Sequence, residues 1–139
     1  MKKYRLILAA SLLIIIIAGV LYYTFRKSPE SVENIKPDYI VEATALVDEF
    51  SENESEANTK YLNKTIQAIQ VSGVVLEVNE TAEERITIYL EGNLMGNVSC
   101  AFSNKEIKNI PDIGEKITVK GKCTGYILDV KLIKCALVD

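Results

Sequence analysis

Near the C-terminal end of the chain, Ile117, Val119 and Cys123 alternate with Thr118, Lys120, Lys122 and Thr124. That period of two is expected of a half-buried strand. Gly125 to Asp129 interrupts it, and a second apolar run follows from Val130 to Val138, so the segment predicts a closing β-hairpin. Upstream, Ile69 and Val71 share one parity and Val74, Leu76 and Val78 the other, with Gly73 at the switch, where a β-bulge is expected. Ile86, Ile88 and Leu90 alternate with Thr87, Tyr89 and Glu91, and Val98, Cys100 and Phe102 make a third inward set. Before these strands the spacing is helical. Ala43, Leu46, Val47 and Phe50 form one short amphipathic helix. Ala57, Tyr61 and Leu62 form the stripe of a second, which Asn53 or Ser51 can cap with Glu54 or Glu56 in the capping box.

The order is helix, helix, three strands, a connector and two strands. A five-stranded run with its long connection between strands three and four is the layout of an OB-fold, a Greek-key barrel; a five-stranded meander is the plainer alternative. The expected fold is therefore mainly β: a five-stranded OB-fold Greek-key barrel preceded by two short α-helices, with an N-terminal transmembrane helix. That last element rests on Leu6 to Tyr23, eighteen residues without a charge. As a helix this stretch spans roughly 27 Å, close to a bilayer's hydrocarbon core. Bulky residues from Leu21 to Phe25 stand where a signal peptidase needs small ones, so an uncleaved anchor is expected. Lys2, Lys3 and Arg5 precede the span and Arg26 and Lys27 follow it, which favours a single pass with the domain on the extracytoplasmic side. The organisation read here is anchor 1–26, linker 27–39 with Pro29 and Pro37, and OB-fold domain 40–139.

Charge narrows the partners. From residue 40 onward ten Lys or Arg face sixteen Asp or Glu, a formal −6. Nucleic-acid binding draws on a basic surface that releases counterions, so this balance argues against it. The acidic run Asp48, Glu49, Glu52, Glu54 and Glu56 lacks the glycine-centred spacing of a calcium loop and reads as a solvated helix face.

Several stretches resemble one known family. Asn53-Glu54, Ala57-Asn58, Tyr61, Lys64-Thr65-Ile66 and Val71-Ser72-Gly73-Val74-Val75 carry the first part of the likeness. Cys100-Ala101-Phe102, Gly114 to Tyr126 and Asp129 to Cys135 carry the rest. Together, over about 40–138, they are similar to the tRNA-anti-like OB-fold family of bacterial envelope proteins. The resemblance implies an OB barrel in the cell envelope, with no assigned activity. Lipoprotein members carry a lipidated cysteine after the apolar segment; here the first cysteine is Cys100.

Candidate chemistry is sparse. The chain has no histidine, so no Ser-His or Cys-His pair can form. No phosphate-binding glycine loop is present either. No catalytic residue, cofactor or metal ligand is assigned, and the protein is not expected to be an enzyme. With Asp129 at the hairpin tip, Cys135 falls opposite Cys123, which makes Cys123–Cys135 the first disulfide to consider in an oxidising compartment. Cys100–Cys135 is the alternative pairing, and three buried reduced thiols are the third reading. Tyr89 is the one outward aromatic of the predicted ligand strands, and with Lys120, Lys122 and Lys131 it makes the candidate ligand face. The expected partners are the membrane, through the N-terminal helix, and a protein or other envelope component.

Overall fold

The computed structural model describes residues 2–26, 32–81, 85–103 and 107–138. It divides into two units, Met1–Glu30 and Ser31–Asp139. The first contains α1 (Lys2–Arg26), so the apolar segment is helical. Among the described residues, no helix is long and apolar enough to cross a membrane.

The second unit contains β1 (Tyr39–Glu42), α2 (Ala43–Glu52), α3 (Glu54–Tyr61), β2 (Ile69–Thr81), β3 (Arg85–Asn93), β4 (Gly96–Ser103), β5 (Lys116–Ile127) and β6 (Asp129–Leu137). Strands pair in the order β2-β3-β4-β6-β5, and β5 pairs back with β2, closing a five-stranded barrel. The β4–β6 contact is parallel and the other barrel pairings are antiparallel, the Greek-key arrangement of an OB-fold. Closure leaves the barrel without a free edge. β1 is an addition that the sequence pattern did not show: four residues paired parallel to β2, Tyr39 with Ile69 through Glu42 with Ser72.

Residues 32–38, read from the sequence as linker, pack on the barrel. Val32 is buried, and Asp38 accepts the Gln67 backbone N–H through its carboxylate at 2.8 Å. The rest of the expected linker, 27–31, lies outside the described residues.

The predicted inward sets of β3, β4 and β5 are buried: Ile86, Ile88, Leu90, Val98, Cys100, Phe102, Ile117, Val119 and Cys123. α2 buries Ala43, Leu46, Val47 and Phe50 against them. α3 begins as expected: Asn53 Oδ1 accepts the Glu56 N–H, and its amide donates to the Glu56 carboxylate. Leu62 does not join the α3 stripe. It follows the helix and remains exposed.

β2 corrects the expected bulge. Ile69, Val71, Gly73 and Val75 all face inward, and the register shifts between Val75 and Glu77, leaving Leu76 exposed. Gly73 has a different role. A Cβ there would lie 2.8 Å from Ala43 Cβ and 3.1 Å from Leu90 Cβ, so glycine lets α2 rest directly on the barrel.

Candidate ligand face

The outer wall of the barrel is built by the same alternation that fills the core. On β3, inward Ile88 and Leu90 force Tyr89 outward; on β4, Val98 and Cys100 do the same for Ser99; on β6, Val130 and Leu132 do it for Lys131. The ladders then align these positions. Glu77 pairs with Tyr89, Tyr89 with Ser99, and Ser99 with Lys131, giving one row across β2, β3, β4 and β6. Glu77 and Lys131, at the two ends, are exposed, whereas Tyr89 and Ser99 are half-buried between them. The row can offer an aromatic ring, a hydroxyl, a cation and an anion to a ligand lying across the strands.

The four expected face residues separate. Tyr89 and Lys131 share the row. Lys122, exposed on β5, pairs with Ile133 and so lies diagonal to Lys131. Lys120 belongs elsewhere: it pairs with Gln70 of β2, and its Nζ donates to the Glu33 carbonyl at 2.8 Å. It bonds the segment before β1.

The cysteine register needs correction. The turn residue is Leu128, with Ile127 paired to Asp129, and each arm carries an irregularity. Thr124 is extra on β5 before Gly125 (φ 121°), and Lys134 (φ 55°) opens a bulge on β6. Cys123 therefore pairs with Leu132. Cys135 packs over Gly121, where a Cβ would meet its sulfur at 2.8 Å. All three cysteines are buried, and neither proposed disulfide is formed. Burial pushes the Cys123 thiol up to about 11, offset in part by a backbone hydrogen bond from Gly125.

A second polar cluster lies where α2 meets α3. Lys60 Nζ is 2.7 Å from Glu49 Oε2, and the Tyr61 hydroxyl donates to the same oxygen at 2.9 Å. The Lys60 ammonium also lies over the Tyr61 and Tyr39 rings at 4.8 and 5.4 Å. The Glu49 hydrogen bond raises the Lys60 pKa, and burial raises that of Tyr61. Perturbed groups often mark chemistry, but every partner here is supplied from within this small cluster, which joins β1, α2 and α3. Among the described residues, no group of three or more His, Cys, Asp or Glu could hold a metal ion.

The barrel topology and this outer row define an OB-fold protein. The chain belongs to the tRNA_anti-like family, whose model matches residues 1–137 and so includes the N-terminal apolar segment as well as the barrel. Among solved structures, it is similar to a crystal structure from Klebsiella pneumoniae described as a "putative nucleic acid-binding lipoprotein". The identity is 13%, the TM-score is 0.57, and the match covers 71% of this chain and 91% of the other. No curated protein matches.

The sequence pattern marks turns at both places but did not anticipate that they meet at the α2 end of the barrel with large apolar residues exposed. Leu94 and Met95 connect β3 to β4, Leu128 connects β5 to β6, and all three are exposed. The signal was present as Asn93-Leu94-Met95-Gly96, a turn sequence with two large apolar residues at its centre.

Proposed function

We propose that this chain is a membrane-anchored, non-enzymatic binding module whose OB barrel engages a protein or envelope component on the extracytoplasmic side. The observation that carries the reading is the continuous row Glu77, Tyr89, Ser99 and Lys131 on the β3–β4 wall, the side of the fold that OB domains use for ligands. The uncharged run Leu6–Tyr23 and its basic flanks support the anchor, with 1–26 as anchor, a short linker after it and the barrel as the functional part. The test is photocrosslinking from a reactive residue at Ser99 in native membranes. A discrete adduct that Tyr89→Ala and Lys131→Glu both diminish is expected. Its absence overturns the reading. Protease added to intact cells should remove the barrel, and protection would reverse the assigned topology.

A second reading, oligonucleotide binding, is favoured by the description of the Klebsiella pneumoniae neighbour. The formal −6 beyond residue 40 and the single aromatic in the row oppose it. Single-stranded RNA or DNA held at physiological salt, and released by Tyr89→Ala, would replace the first reading with this one.

A further inference from the structure

The two turns at the α2 end form one surface. Leu94, Met95, Ile127 and Leu128 are 106, 61, 71 and 81% exposed. The turns are joined at several points: the Tyr126 hydroxyl donates to the Met95 carbonyl at 2.8 Å, and the Asn97 N–H donates to Asp129 Oδ1 at 2.8 Å. Gly96 lies so close to Leu128 that a Cβ would run into the Leu128 carbonyl. Within the first turn, Asn93 Oδ1 accepts the Met95 N–H at 2.7 Å, while its amide donates to Asp48 on α2. The apolar side chains are thus presented on a braced backbone, which lowers the ordering cost of binding.

Folding alone does not account for these residue types. Turn positions favour Gly, Asn and Asp. Leu128 has φ 65°, a left-handed conformation unfavourable for a residue with a Cβ, and its side chain is largely in solvent. Exposed apolar clusters of this kind mark interaction sites.

The charge around the cluster selects the occupant. The charged side chains bonded to the two turns are both carboxylates, Asp48 and Asp129. Neither is ion-paired among the described residues, whose salt bridges are Lys60–Glu49 and Lys116–Glu42. An anionic lipid surface would be repelled by this edge, and a second copy of the chain would oppose carboxylate to carboxylate. We propose that the paired tips dock into another protein, through an apolar pocket edged by lysine or arginine. This surface adjoins the Tyr89 row, Ser99 and Lys131 following Asn97 and Asp129 by two residues on β4 and β6, and it deepens the same binding-module reading.

The experiment places a photoreactive residue at Met95 in the full-length chain in its native membrane. A single heterotypic adduct is expected, with the crosslinked peptide carrying apolar residues and at least one Lys or Arg. Leu94→Asp with Leu128→Asp should lower its yield about thirtyfold or more, as loss of a buried hot-spot pair does. Asp129→Lys should lower it as well, while a Ser99 adduct persists. Loss of the Ser99 adduct alone would count against the Tyr89 row and leave the tips standing. Urea midpoints of the variants check that the barrel is intact, and Leu94→Ser with Met95→Ser gives a milder pair if the aspartates unfold it. Three results overturn the proposal: an adduct indifferent to these substitutions, a homotypic adduct, or tip-dependent binding of the protein to phosphatidylcholine vesicles with or without phosphatidylglycerol.

Discussion

On the barrel wall, each apolar side chain of β3 and β4 that points inward is buried and its polar neighbours face outward. In the turns at the α2 end, Leu94, Met95, Ile127 and Leu128 are apolar and point into solvent. The wall follows the rule that burial stabilises the fold, at roughly 25 cal/mol per Å² of apolar surface. The turns gain nothing by that rule. The difference separates residues retained by folding from residues whose cost folding does not offset, and substitutions should divide the same way.

The largest effect should come from the side chain beneath the tips. Phe50 is buried and stacked on Tyr61 and Tyr126, with ring centroids 5.8 and 6.0 Å apart. Phe50→Ala should cost about 3–5 kcal/mol in urea unfolding, the usual price of emptying an aromatic site. A loss below about 1 kcal/mol would mean that α2 is not part of the barrel core.

Next in size is a titration inside the wall. Because burial holds the folded Cys123 thiol near 11, the unfolded chain loses this proton first as pH rises. The contribution is fully present below the unfolded thiol pKa of about 9 and falls through the folded value, by roughly 2–3 kcal/mol in all. Cys123→Ala should flatten the decline between about pH 9 and pH 11 relative to the parent. An unchanged slope would place the thiol in water. Thiol titration after denaturation, without reductant, should give three thiols, since no disulfide joins the cysteines in the structure; one would restore a disulfide.

What was legible follows from the same contrast. Period-two burial placed Ile86, Ile88, Leu90, Val98, Cys100 and Phe102 correctly, because one face of each strand meets the core. Tyr89 and Lys131 were found as outward residues for the same reason. Register was not legible. The turn falls at Leu128 rather than Asp129, which alone sets Cys135 two positions from Cys123, and the extra residues Thr124 and Lys134, on opposite arms, shift the pairs between them, so the cysteines could not be matched by counting. Gly73 stands out in the sequence, but its role depends on Ala43 of a different element. The bond from Lys120 to the Glu33 carbonyl was not legible because Glu33 belongs to a segment without periodicity.

A smaller effect of opposite sign should appear at a tip. Leu128→Gly relieves the left-handed leucine, a gain of about 1–2 kcal/mol, against an entropy loss of roughly 0.5–1 kcal/mol. The net is a stability gain of about 1 kcal/mol or less, read as a higher urea midpoint at constant slope. A clear drop would show that Leu128 serves the fold, and the contrast between wall and tips would fail there.

The smallest effect is the most local. Tyr126→Phe keeps the ring on Phe50 and deletes only the hydroxyl that donates to the Met95 carbonyl at 2.8 Å. Because that bond is exposed, its removal should cost about 0.5 kcal/mol globally, the low end for a hydrogen bond. The informative readout is amide exchange at Met95 and Asn97, whose N–H groups are bonded to Asn93 and Asp129. If the hydroxyl braces one turn against the other, both amides should exchange faster while those of Ile88 and Val119 in the wall keep their protection. Equal acceleration everywhere would mean that the tips open only with the whole barrel. Unchanged exchange at the two turn amides would leave the bracing to Asn93 and Asp129, and with it the rigidity on which the docking surface depends.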